Sequence, residues 1–252
     1  MGARCVFKVV SARSRVPLAL KAFEVAEKLS FEEVAAKLRG YGVLEREEVD
    51  GREVEVGFRV AQLQLVEGEL RGVFEESFVA SVRYREELLR VPVSVSTEFR
   101  FIEVEGGLYL VVAARKARAN RVAARLSAAL AAGGRRRGVV VEARIPEEEF
   151  RGLYEGRPEA VKVVVFTEVR LPEVGKLTLY GSQLASSGLY SEYLKLGSVW
   201  YAVFEAEEGF VVGVTRNCVV TFFSKVDPED AFKFVRERIL PLAAKGRLGA
   251  GA

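Results

Sequence analysis

The chain predicts an α+β fold of two lobes, each a mainly antiparallel sheet with helices packed on one face. Three observations carry this. Apolar residues switch repeatedly between helical and alternating spacing along the 252 residues. The alternating segments are joined by short Gly-containing turns of the hairpin type, which points to antiparallel strands. A basic stretch closed by Gly133-Gly134 divides the chain into an N-terminal lobe, 1–134, and a C-terminal lobe, 135–252, each of ordinary domain length.

Cys5–Ser11 reads as a first strand, and Arg13, Arg15 and Pro17 break it. Leu18, Ala22, Val25 and Leu29 then recur at helical spacing and predict a helix. Ser30 with Glu33 forms a capping box for a second helix over Val34, Ala35 and Leu38, ended by Gly40 and Gly42. Glu45, Glu47, Glu48 and Asp50 lead into a turn. Val54, Val56, Phe58 and Val60 alternate with polar residues, and the shift to Leu63 and Leu65 predicts a bulge near Ala61. Glu67-Gly68-Glu69 is a hairpin tip, with Phe78, Ala80, Val82 and Tyr84 on the returning arm. Pro92 marks a break or a sheet edge. Thr97–Glu105 and Leu108–Ala114 form another hairpin, which feeds a basic helix.

The second lobe opens with a strand at Val139–Ala143 and a helix started by Pro146 and Glu147–Glu149. Val161–Phe166 is a strand, Leu171–Leu179 a loop or edge, and the region of Tyr190–Leu194 a short helix. Val199–Ala206 and Phe210–Thr215 make a hairpin, followed by a strand at Val219–Phe223. Asp227-Pro228 starts a last helix, expected to stop at Pro241. Ile102–Leu108 and Phe204–Phe210 echo one another, each in a hairpin ahead of a helix. In element order alone, helix, strands and helix, each half is similar to a half-repeat of the TATA-binding protein family.

Composition narrows the chemistry. Histidine is absent, and only Asp50, Asp227 and Asp230 supply Asp. This removes imidazole bases and ligands, and no zinc-ligand or other metal motif appears. The chain is read as non-catalytic, with no cofactor. Two Asn, three Gln, one Met and abundant Arg and Glu give a thermophilic profile. Cys5 and Cys218 either pair or stand as small buried apolar residues. No apolar run approaches a membrane span, and the MGARCVFKVV start lacks a signal-peptide pattern, so a soluble, cytoplasmic protein is expected.

Charge is segregated. Between Gly106 and Val141 there is no acidic residue, while Arg115, Lys116, Arg118, Arg121, Arg125, Arg135, Arg136 and Arg137 supply eight cations. The rest of the chain holds 30 basic and 35 acidic residues, a net charge of −5. At 100° per residue Arg118, Arg121 and Arg125 share a stripe apart from the apolar face of Ala119, Val122, Ala123, Leu126 and Leu130. Arg pairs bidentately with phosphate, so these eight residues are the candidate nucleic-acid or polyanion contacts. Two other readings share the same electrostatics: an acidic protein partner, or a solvated helix whose Arg row pairs with Glu from elsewhere in the chain. A second candidate is an anion-binding loop made of Lys176, Tyr180, Gly181, Ser182, Ser186 and Ser187, set against an ordinary polar connection. In Phe222-Phe223 one ring must face away from the core, either as a stacking residue or beneath a helix.

Overall fold

The computed structural model describes residues 17–131 and 138–249. The expected strand at Cys5–Ser11 lies outside them. The first described element is strand β1, Leu18–Val25, where a helix was expected. Both faces of β1 are buried, so its apolar residues form a near-continuous run that fits either period. Helix α1, Phe31–Leu38, carries the reciprocal Ser30–Glu33 capping box. Four strands follow: β2, Gly42–Val49; β3, Arg52–Val66; β4, Glu69–Tyr84; and β5, Glu87–Val104. Strand β6, Gly107–Val112, and the basic helix α2, Lys116–Ala131, complete the first half. Two-residue turns join β2 to β6; Asp50-Gly51, Glu67-Gly68 and Glu105-Gly106 all have positive φ, as type I′ turns require.

The second half runs β7, Val140–Glu142; α3, Glu147–Glu155; β8, Val161–Leu171; β9, Val174–Tyr180; and α4, Gly188–Leu194. It ends with β10, Ser198–Glu205; β11, Val211–Thr215; β12, Val219–Phe222; α5, Pro228–Phe234; and α6, Leu240–Gly249. The last helix does not stop at Pro241. One wide π turn, Val235–Ile239, links α5 to α6, with Leu240 N–H donating to the Val235 carbonyl. Widening the turn just ahead of Pro241 accommodates a residue that lacks an N–H and crowds the preceding turn. The hairpin echo diverges here: β6 leads directly into α2, whereas β12 stands between the β10–β11 hairpin and α5.

All twelve strands belong to one antiparallel sheet, ordered β2-β3-β4-β5-β6-β1-β12-β11-β10-β8-β9, with β7 on the end of β1. Helices cover opposite faces in its two halves. On β6, Leu108, Leu110 and Val112 join the cluster under α1 and α2, while Tyr109 and Val111 join the cluster under α3, α5 and α6. On β1 the split is Phe23 and Val25 against Leu20 and Ala22. Since successive strand residues point to opposite faces, the two cores lie on opposite sides of the sheet. They overlap at β1, β6 and the end of β5, where Phe99 and Phe101 face one core and Ile102 the other, and all six residues of β6 are buried. Beyond that centre each half of the sheet has one face that no described helix covers.

Two polar networks, each centred on a buried cation, stitch the halves. Lys21, fully buried on β1, donates to Asn120 Oδ1 of α2 at 2.7 Å and to Glu142 of β7. Asn217 reaches the same carboxylate at 3.4 Å and accepts from Thr215 Oγ1. Asn120, a poor helix former, is thereby explained: it supplies the acceptor that a buried ammonium needs. Across the sheet, Arg100 of β5 meets Glu69, Glu98 and Glu229, the last from α5.

The hydrogen bond from Lys21 holds the Glu142 carboxyl below its usual range, and the one from Arg100 does the same for Glu229. A depressed folded-state pKa contributes stability above the unfolded value and loses it as pH falls through the folded one. Melting temperature should therefore stay level near neutrality and fall below about pH 4.3, the ordinary Glu value. Glu142→Gln should flatten that acid limb. Melting curves from neutral to strongly acidic pH check this, and an unchanged limb in the variant contradicts it.

Cys218, beside Lys21, is a fully buried free thiol. Burial pushes its pKa up to about 12. In a Cys5→Ser variant, Cys218 should resist a thiol reagent at pH 8, where about one molecule in ten thousand is thiolate, and label only on unfolding. Labelling of the native variant within minutes contradicts this.

Candidate binding groove

The sheet makes a groove where two hairpins part. Strand β3 pairs with β4 only as far as Gly57↔Ser77, then follows β2 alone to its tip at Arg52. Gly57 is the point of departure. Its φ is +120°, and a Cβ there would sit 2.1 Å from the Val43 carbonyl oxygen. Only glycine fits such a position. Past it, β4 and β5 continue as a two-stranded ribbon to Tyr84↔Glu87. The opening holds a cavity of about 490 Å³, bounded by Val56, Phe58 and Phe78 on the sheet side and by Arg118, Arg121 and Arg125 of α2.

One face of the ribbon is apolar. Opposed residues in antiparallel strands share a face, so the register puts Phe78 with Val93, Ala80 with Val91 and Val82 with Leu89 on one side. This side continues the row of Phe74 and Phe99, which α2 covers farther back. Phe78, Val82, Tyr84, Leu89 and Val91 are exposed. Contiguous apolar surface of this kind marks an interaction site more often than solvent-facing structure. Pro92 lies at an edge, as expected: β6 reaches only Phe99–Val104 of β5.

The three groove arginines differ in what they leave free. Arg118 is spent on the fold: Nε donates to Thr97 Oγ1 at 2.6 Å, Nη1 to Glu76 at 3.1 Å and Nη2 to the Val95 carbonyl at 3.0 Å. Arg121 is 57 % exposed, with Glu76 3.8 Å away. Arg125 is exposed and lies over the Phe58 ring, 4.8 Å from its centre. Arg115 and Lys116 are exposed where α2 begins, and its first turn holds no acidic residue. Arg135, Arg136 and Arg137 lie outside the described residues. The helix therefore does pair part of its Arg row with the acidic remainder and leaves the other part to solvent.

Two of the four hydroxyls in the loop, those of Ser186 and Ser187, are bonded to their own backbone. Ser186 Oγ donates to the Gln183 carbonyl at 2.9 Å, and Ser187 Oγ donates to Leu184 and caps α4 by accepting from Tyr190 N–H. Tyr180, Gly181 and Ser182 are exposed. Lys176 lies four residues back along β9, roughly 13 Å at strand rise. The loop and the lysine are thus not gathered into one anion cradle.

Sequence reasoning missed two clusters. Tyr154, Tyr190, Glu155 and Arg151 form a chain in which the Tyr190 hydroxyl donates to Glu155 at 2.5 Å. Burial pushes both tyrosine pKa values up. A second hollow, of about 420 Å³, has Phe204 and Phe234 in its lining and five glutamates, with Arg238 tied to Glu207 and Glu208. Residues distant in sequence build both, so no local spacing announces them. Among the described residues no group of three or more Cys, Asp or Glu is placed to hold a metal ion. No helix described is long and apolar enough to cross a membrane.

No protein-family model and no curated protein matches the chain.

Proposed function

We propose that this chain is a non-catalytic binding protein, and that the groove beside α2 receives an acidic partner protein. The observation that carries the reading is the meeting, in one cleft, of exposed Arg121 and Arg125 with the apolar wall of Val56, Phe58 and Phe78. A partner protein supplies carboxylates for the arginines and apolar side chains for the ribbon. A phosphodiester backbone supplies anions for the arginines but no apolar side chains for the ribbon. Glu47 and Glu76 also border the cleft, each paired with an arginine of the chain, Arg90 and Arg118. A second reading, nucleic acid or another polyanion, is favoured by Arg115 and Lys116 at the start of α2, where the helix dipole also attracts anions.

We read the halves 1–134 and 135–252 as two lobes that share one sheet, supported by two core clusters, one drawn almost wholly from the first half and the other mainly from the second. A hot working temperature is supported by the scarcity of Asn and Gln and by the Arg–Glu networks.

Fluorescence anisotropy separates the partner classes with three labelled probes: a short alternating Glu-Leu peptide, its Lys-Leu counterpart, and an oligonucleotide in duplex and single-stranded form. The reading expects the Glu-Leu peptide to bind best, more weakly as salt rises. Joint Arg121→Ala and Arg125→Ala replacement should weaken it roughly tenfold, two exposed charge contacts of about 0.5–1 kcal/mol each. Equal binding of the Lys-Leu peptide defeats the charge argument, and preference for the oligonucleotide installs the second reading.

A further inference from the structure

Helices cover one face of β8–β12; on the opposite face lies a level, neutral surface independent of the α2 groove. Alternation along the strands puts Val212, Val214, Val220 and Phe222 in the helix-covered core and turns Gly213 and Phe223 the other way. The register adds Tyr201, beside Thr215, and Tyr180, beside Val163. Tyr180 is 77 % exposed and Phe223 52 % exposed. Sequence reasoning allowed that a helix covers the outward ring of Phe222-Phe223; among the described residues none does.

Gly213 shapes this surface. A Cβ there would lie 2.2 Å from the Tyr201 hydroxyl and 2.9 Å from the Phe223 ring. Both rings therefore lie across bare backbone instead of standing up from the sheet. Threonines, among them Thr178 and Thr221, fill the neighbouring positions. Among the described residues, no charged side chain lies in the interior of the surface. Its charges sit at the rim, on Lys176 at one corner and on Lys162 with Glu205, 4.0 Å apart.

We infer that this face is the seat of a second copy of the chain, packed sheet against sheet about a two-fold axis. A polyanion or an acidic protein needs cations in the middle of its contact, and this surface has none. Two copies of a neutral face, about 10 Å apart, bury each other without desolvating a charge. Aromatic side chains with charges only at the edge are the pattern of an interface core and its rim. The five strands span about 24 Å by roughly 20 Å, near 500 Å² per copy and 1,000 Å² for the pair, the lower limit of a specific interface. The dimer is accordingly weak, with a Kd in the micromolar range.

Sedimentation equilibrium of the full chain from about 1 to about 200 μM brackets such a Kd. The expected result is a monomer–dimer equilibrium that persists at about 1 M salt, where screening acts within about 3 Å. Phe223→Glu should weaken it at least tenfold. Tyr180→Glu, on an edge strand and mostly exposed, should do the same and serves if Phe223→Glu fails to fold. The Arg121→Ala, Arg125→Ala protein should dimerise like the wild type, so loss of groove binding and loss of dimer are separate readings. A monomer at every concentration overturns the inference. So does a dimer that salt dissolves, or one indifferent to both glutamate variants. Binding of single-stranded oligo-dT that Phe223→Ala abolishes overturns it in favour of a base-stacking surface.

Discussion

Arg100→Met should lower the unfolding free energy by about 3 kcal/mol, the low end for breaking a buried ion pair, and the melting temperature by roughly 6–12 °C. Arg100 is 2 % exposed, with Nη1 2.9 Å from Glu229, Nη2 2.7 Å from Glu98 and Nη1 3.2 Å from Glu69. Its guanidinium also lies 3.8 Å from the centre of the Phe232 ring. Burial alone would lower its pKa, but hydrogen bonds to Glu229 and Glu98 outweigh that and raise it. Removing the guanidinium leaves Glu69 buried between β4 and the last helix. Arg236 still reaches Glu69 at 3.0 Å, which keeps the cost at the lower end. Arg100→Lys should recover part of the loss and no more, because one ammonium cannot serve three carboxylates in the geometry of a fork. Thermal and urea unfolding of the three proteins measure this. A shift under about 2 °C for Arg100→Met shows that the Arg100 ion pairs add little to the hold on α5.

Gly57→Ala should be the most damaging small substitution in the N-terminal half. The Cβ would meet the Val43 carbonyl at 2.1 Å, and φ of +120° is a conformation that alanine rarely adopts. Backbone strain of this kind costs about 1–3 kcal/mol before any clash is relieved. The strain falls on the β2–β3 hairpin where it leaves β4, so the groove should lose its shape before the fold is lost. Hydrogen exchange should quicken over 43–49 and 52–57 and stay slow in β1 and β6. Binding of the Glu-Leu peptide should fall by more than tenfold, a loss of over 1.4 kcal/mol. Unchanged exchange and unchanged binding in the variant remove Gly57 from the site.

Much of this fold is legible in short windows. Alternation and turn chemistry mark the hairpin at Glu67-Gly68, the hairpin expected around Gly106-Gly107 and found one residue earlier at Glu105-Gly106, the bulge after Ala61 and the Asp227-Pro228 cap. These features are local, and their physics is contained in a few neighbouring residues. Strand β1 is not local: it lies at the centre of the sheet, and burial on both faces erases the alternation that marks an ordinary strand. The run through Pro241 depends on a π turn that no propensity announces.

The site divides in the same way. The amphipathic character of α2 and its Arg stripe follow from spacing alone. The fate of each arginine does not. Arg118 is absorbed by Glu76, Thr97 and Val95, which sequence separates by 42, 21 and 23 residues. The apolar ribbon face is visible as alternation from Phe78 to Tyr84, but its exposure is not, because that depends on no described helix lying over it. The same holds for Phe223: adjacency to Phe222 shows that it turns outward, and only the sheet order shows that nothing described covers it.

Hydrogen–deuterium exchange of the full chain with and without the Glu-Leu peptide tests the groove most directly. The account predicts protection confined to residues 56–58, 76–79 and 118–125, and absent when Arg121 and Arg125 are both alanine. Protection over 176–187 instead, or protection that survives the double replacement, contradicts it.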